Sequence, residues 1–210
     1  MTSYTIRAGD CLSQIAAERG FDWRTIWNHG DNAELKQLRK DPNVLLPGDV
    51  VVIPDKAVRE EPRPTDQRHR FVLKGQRTYL RLRLLRHGRP RPGLRYVLHL
   101  DGQLLSGATD GDGRIVREIP ATARQAELTL GDGEESYVLL LGDLDPLDTT
   151  PGTCKRLQNL GYGCGAGERP DETRMKPAVR GFQRRFHPPL AVDGIAGPKT
   201  RSKLEEVHGH

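Results

Sequence analysis

The chain has 210 residues, with 33 Lys and Arg against 28 Asp and Glu and a net charge of +5. Its hydrophobic fraction of 35% omits the 23 glycines, and with them it nears the ordinary globular range, which argues against a disordered chain. No apolar run approaches the roughly 20 residues that cross a bilayer, so a membrane span is excluded. The charge is segregated: −2 over 1–55, +10 over 56–100, −8 over 101–150 and +5 over 151–210. Basic and acidic blocks side by side neutralise each other, and no recognition helix or aromatic platform accompanies them. Nucleic acid is therefore not an expected partner. With aromatics at only 5%, several modest cores are expected rather than one large one.

From Tyr4 to Gly20 the pattern predicts a strand, a Gly9-Asp10 turn, and a helix with Leu12, Ile15 and Ala16 on one face. Trp23, Ile26 and Trp27 begin a second apolar face. The charged stretch from His29 to Lys40 is a long connection, and Asn43-Val-Leu-Leu-Pro-Gly-Asp-Val-Val-Val-Ile-Pro54 reads as a turn and a closing strand. The pattern YxIxxGDxLxxIA…NxLxPGxxxxIP resembles the LysM family, a βααβ module that binds N-acetylglucosamine in peptidoglycan or chitin. Cys11 departs from it, since the family usually has Thr or Ser there. The resemblance implies a shallow sugar groove between Gly9, Asp10, Cys11 and Leu12 on one side and Pro42, Asn43, Val44 and Leu45 on the other. An acetamido group has one donor, one acceptor and a methyl, which backbone amides and a small apolar patch can match. Two readings stay open: glycan contact, or a LysM fold reused to hold a protein partner.

Residues 56–70 are charged and contain two prolines, which predicts an extended linker. Over 71–147, Tyr79–Leu84 alternates strictly, and strands are predicted at Leu94–Leu100, from Gln103, at Arg114–Ile119, Ala126–Leu130 and Tyr137–Leu141, with Gly/Asp turns between them. PxxGxxYxLxxDG…GxTDxxGxxxxxIP resembles the transthyretin-like or carboxypeptidase-regulatory sandwiches, which implies a spacer. Asp110 with Asp112 and Asp143 with Asp145 are the metal-like pairs, but a calcium loop needs more oxygen ligands, so they read as turns and no metal is expected. His99 and Asp101 lack a nucleophile and read as a surface pair.

The last segment, 148–210, is predicted to begin with a helix from Thr153 to Leu160, stopped by Gly161. Cys154 and Cys164 bracket it, either as a disulfide in an oxidising compartment or as two buried thiols. Val179, Phe182 and Phe186 make one helix face, and Arg180, Gln183, Arg184 and Arg185 make the polar one. Pro188 and Pro189 end that helix, Asp193-Gly194 turns, and Gly197-Pro198 starts the next. FQxxF…LxVDGIxGPxT resembles the peptidoglycan-binding-domain-1 family, a three-helix module. That resemblance implies a contact site of Arg185, Asp193, Gly194, Ile195, Gly197 and Thr200, with Phe182 at its border or in the core. The family's second repeat is missing from Gly165 to Glu172.

The expected fold class is multidomain α+β: a βααβ LysM module (1–55), a linker (56–70), an all-β sandwich (71–147) and a three-helix module (148–210). The expected function is non-catalytic binding of peptidoglycan, or a related N-acetylglucosamine glycan, by two terminal modules on a β spacer. No catalytic set or cofactor is expected. The arrangement also resembles LysM proteins of type VI secretion and other contractile injection systems, which implies an adaptor or effector-accessory role gripping spike or tube proteins. Without an apolar signal core, the chain is expected to be made in the cytoplasm. It would then act in the periplasm or wall after non-classical delivery, or stay with a secretion apparatus.

Overall fold

The structure, a computed structural model, describes residues 1–56, 62, 64–70, 77–164 and 172–209. Much of the expected linker, the first residues of the expected sandwich and most of the Gly165–Glu172 loop lie outside these. The described chain is mixed helix and sheet, and its buried apolar side chains gather in three clusters.

The first cluster lies between a two-stranded antiparallel sheet and short helices. Strand β1 (Thr2–Thr5) pairs with β2 (Val50–Ile53), with Tyr4 opposite Val51. Between them run α1 (Leu12–Arg19), α2 (Trp23–Trp27) and α3 (Ala33–Arg39). Leu12, Ile15, Ile26 and Trp27 are buried together, as their spacing predicts. The charged 29–40 connection is not a plain loop: it forms a 3₁₀ turn and α3, held by two polar anchors. Asn32, buried, donates through Nδ2 to Ile26 O and Val52 O at 2.8 Å and accepts from Val52 N at 2.8 Å. Arg39 donates to both Asp49 oxygens at 2.7 and 2.9 Å, and Asp49 also accepts from Leu46 N. Charge in this stretch therefore builds structure, because each charged or polar anchor closes hydrogen bonds that would otherwise be buried and open.

The second cluster is clamped between two layers. Strands β6 (Arg95–Leu100), β7 (Gln103–Ala108), β9 (Gln125–Leu130) and β10 (Glu135–Leu140) form a sheet in the order β10-β9-β6-β7. Opposite lie β3 (Arg77–Arg83) and β8 (Arg114–Pro120), paired from Arg77–Pro120 to Arg83–Arg114. Tyr96, Leu98 and Leu100 alternate inward on β6 and meet Leu80, Ile115 and Ile119 from the other layer. A two-residue-turn hairpin, β4 (Leu85–Arg86) and β5 (Arg89–Pro90), stands beside these strands and was not anticipated. His87 and Gly88 both have positive φ, the conformation a tight hairpin turn requires.

The third cluster joins α4 (Thr150–Asn159), α5 (Glu172–Arg185) and α6 (Pro198–His208). Helix α4 starts three residues earlier than predicted, because Thr149 caps it by accepting from Gly152 N. Leu157, Val179, Phe182 and Leu204 are fully enclosed. Phe182 is thus core, edge-on to Tyr162 with ring centres 5.8 Å apart. Cys154 and Cys164 form the disulfide, their Cα atoms 5.8 Å apart.

Candidate functional site

The N-terminal turn does bring the two expected groove edges together, and closes them on each other. Leu12 N donates to Pro42 O at 3.1 Å, and Ser13 N to Asn43 Oδ1 at 3.2 Å. Asn43 thereby does the helix-capping work that Cys11, with no capping hydrogen bond of its own, does not. Asp10 is buried, its Oδ2 accepting from Tyr4 Oη (2.8 Å) and Arg7 N (2.9 Å). Leu12, Val44 and Leu45 are buried as well. Gly9, Pro42 and Asn43 are half-buried, as is Cys11, whose thiol burial pushes up in pKa. The two expected edges thus meet, with the Leu12 amide bonded to the Pro42 carbonyl and Gly9, Pro42 and Asn43 left partly exposed beside that bond.

The segment leaving β10 adds a cover. A Cβ at Gly142 would lie 3.0 Å from Cys11 Sγ, and one at Gly9 would lie 4.0 Å from Asp143 Oδ1. Arg124, before β9, reaches Glu18 of α1 at 3.4 Å. The same connector holds the Asp143/Asp145 pair, and a lysine occupies the place of a cation. Lys155 Nζ lies 3.1 Å from Asp143 Oδ2 and 2.9 Å from Asp145 Oδ2, and donates to Asp143 O at 2.6 Å. Buried Arg156 donates to Asp145 O and Gly152 O. At the other pair, Asp110 Oδ1 accepts from Asp112 N and Arg114 N, a hydrogen-bonded turn. Among the described residues no group of three His, Cys, Asp or Glu side chains is placed to hold a metal ion.

The C-terminal loop is organised differently. Its hub is Gln183, which the helical pattern assigns to the polar, solvent-facing side; the structure corrects this, with Gln183 only 1% exposed. Its Nε2 donates to Asp193 Oδ1 (2.8 Å), Ile195 O (3.0 Å) and Thr200 Oγ1 (3.2 Å), while its Oε1 accepts from Gly194 N (2.9 Å). Asp193 Oδ1 also accepts from Ile195 N at 2.8 Å, and that bond, followed by the one from Gln183, holds the carboxyl below its ordinary pKa. Gly194 has φ 81° and lies against Arg180, so only glycine suits the position. Gly194 and Thr200 are buried, Gly197 caps α6, and Ile195 and Val192 stay exposed, at 62% and 37%.

Arg185 does not join this loop. It stands two residues from Gln183, about 200° around the helix, and therefore faces away from it. Its guanidinium lies against Gly88 of the β4–β5 turn, where a Cβ would overlap it. The composition of α5 alone could not separate Gln183 from Arg185. The apolar neighbours Val179 and Phe182, four and one positions earlier, were the available signal that position 183 turns inward.

Comparison with known proteins singles out the same region. The family model described as a putative peptidoglycan binding domain matches residues 155–204, about a quarter of the chain. The match spans the second half of α4, then α5, the Gln183-centred loop and most of α6. That segment is similar to a peptidoglycan-binding module, and the similarity supports peptidoglycan binding and association with the cell wall. No curated protein and no solved structure matches the chain. Among the described residues no helix is long and apolar enough to cross a membrane.

Proposed function

We propose that the protein binds peptidoglycan without cutting it, chiefly through the 192–200 loop. The observation that carries this reading is the rigid presentation of that loop within the 155–204 match. Gln183 fixes the backbone, leaving apolar Ile195 and Val192 beside the Asp193 carboxylate at the surface. Wall polymers present methyl groups next to amide donors and acceptors, which such a rim can meet. The sandwich, which resembles transthyretin-like domains, serves as spacer. The N-terminal unit, whose LysM resemblance rests on its motif residues, adds a weaker glycan contact at Gly9, Pro42 and Asn43. One full-chain experiment tests the reading: retention on purified sacculi with analysis of the supernatant. Asp193→Arg is expected to lower retention at least tenfold with a melting temperature only modestly lowered, since the change gives up the bonds from Gln183 and Ile195 N, and no muropeptides are released. Muropeptide release would overturn the non-catalytic part, and undiminished retention of the variant would overturn the site.

A second reading has its own observation. The first-turn face of the N-terminal unit already rests on polypeptide, at Gly142 and Arg124. A face suited to protein fits an adaptor of a contractile injection machine, delivered with its spike or tube. Co-purification with spike or tube proteins from a sacculus-free lysate supports it, and its absence favours wall binding alone.

A further inference from the structure

Beside the wall-binding segment lies a cavity of about 570 Å³ lined by Arg86, His87, Arg89, Pro90, Arg91 and Arg185. Five of these six can carry positive charge. Backbone geometry, not chance side-chain drift, brings four arginines to it. Arg86 and Arg89 are register partners across β4–β5, an arrangement in which like charges directly opposite each other repel. The two-residue turn leaves them no room to separate along the strands. Arg185 arrives from α5 and rests on the turn at Gly88. Arg91 is already committed, donating to both Glu135 oxygens at 2.8 and 2.9 Å. Glu135 takes a further hydrogen bond from Tyr137 Oη, so its charge is answered locally. Arg86, Arg89 and Arg185 have no carboxylate partner within ion-pair distance among the described residues. Glu134 and Glu135 are the acidic groups whose fields reach this corner. The result is an excess of guanidinium donors converging on one open hollow that continues from α5.

We propose that this hollow takes the free carboxylates of peptidoglycan stem peptides, an assignment that rests on the wall-binding reading and names the charged part of its ligand. Guanidinium forks match carboxylates in a bidentate manner. The hollow is far larger than one phosphate and offers separated forks on two elements. That suits a short peptide carrying several carboxylates along its length better than one compact anion. The 192–200 loop and the arginine hollow lie on opposite sides of α5, so a cross-linked strand could engage both.

The test titrates the full chain with a disaccharide–tetrapeptide released from sacculi, with the same disaccharide lacking its peptide, and with inorganic phosphate. Binding of the tetrapeptide form is expected, to weaken at least tenfold in Arg86→Gln/Arg89→Gln, and to recover in part in Arg86→Lys/Arg89→Lys. Both pairs are surface side chains, and melting curves check that the fold is intact. Raising salt from 0.05 to 0.3 M (on the order of one Debye length shortened by half) should weaken the wild type more than the glutamine variant. Equal binding by the glutamine variant, equal binding of the peptide-free disaccharide, or phosphate binding as tight as the tetrapeptide each overturns the proposal. Sacculus retention that falls with Asp193→Arg but not with Arg86→Gln/Arg89→Gln leaves the wall-binding reading standing and removes only this inference. A wild-type chain that sacculi do not retain removes both.

Discussion

The two ends of the molecule were each expected to present a shallow cleft shaped by main-chain atoms, and they treat those atoms in opposite ways. At the N-terminal turn the free amides and carbonyls find each other, Leu12 with Pro42 and Ser13 with Asn43, and the connector at Gly142 lies over Cys11. At the C-terminal loop one buried amide side chain absorbs the inward-facing groups, and the outward-facing rim is left open. A loop can be rigid and still available only when something beneath it satisfies its polar atoms. Gln183 is that something from beneath its loop, whereas at the N-terminal turn the side chains that satisfy the backbone, Asp10 and Asn43, belong to the groove edges themselves.

The largest expected effect breaks the C-terminal side of this contrast. Gln183→Ala leaves Gly194 N and Ile195 O without their buried partner and opens a void, at a cost of about 3–4 kcal/mol. Helical circular dichroism on heating should show a melting transition moved down, together with loss of sacculus retention. Both tryptophans, Trp23 and Trp27, belong to the N-terminal cluster, so their fluorescence should not change. A tryptophan transition that moves equally would mean the two ends unfold as one unit and are not independent devices.

Reducing Cys154–Cys164 sharpens the same contrast with a smaller effect. A closed loop with a sequence separation of 10 is worth about 2.7 kcal/mol by chain entropy. Reductant should lower the midpoint of the helical transition in urea and leave the tryptophan transition in place. No shift in either would mean that the bridge does not hold the helices together in solution.

Much of this was legible in the sequence, and the failures share one cause. Strict alternation found β3, because a half-buried strand must alternate, and the Gly/Asp turns between segments placed β6, β8, β9 and β10. The turn at Asp193-Gly194 and the proline start of α6 followed from backbone limits that any protein obeys. Gln183 was placed on the polar face of its helix, since a polar side chain there normally faces water, and Asn32 and the Arg39–Asp49 pair fell in stretches read only as a charged connection and a turn. Their burial depends on partners 10 to 20 positions away, and a one-dimensional pattern does not carry that information. The β4–β5 hairpin was missed for a related reason: two-residue strands rich in arginine have no alternation to detect.

Acid probes the N-terminal side. Burial alone would raise the Asp49 carboxyl, but the hydrogen bonds from Arg39 and the Leu46 amide outweigh it and hold it below 3.8. A carboxyl depressed in the folded state lends stability that is complete above its unfolded pKa and lost as pH falls through the folded one. The tryptophan transition should therefore be flat from pH 7 to about 5 and drop below about pH 4. In Asp49→Asn that drop should be shallower, from a lower starting stability. An equal acid slope in both proteins would show that the pair is not the sensor.

The smallest expected effect is the most direct test of the contrast. Gly9 sits at φ 80°, where a side chain costs about 1 kcal/mol, and Trp there would crowd Asp143 on the connector. If the N-terminal edges are closed, little ligand contact remains to be lost. Gly9→Trp should then reduce sacculus retention less than twofold, against the tenfold or greater loss for Asp193→Arg. The cost of the strained turn appears instead in the tryptophan transition, which separates a structural role from a binding one. A loss of retention as large as that of Asp193→Arg, with the fold intact, would mean that the connector lifts away and the first turn grips glycan after all. Gly142 then becomes the next position to change, because its Cβ would meet the Cys11 thiol in the closed state and be unhindered by it in the open one.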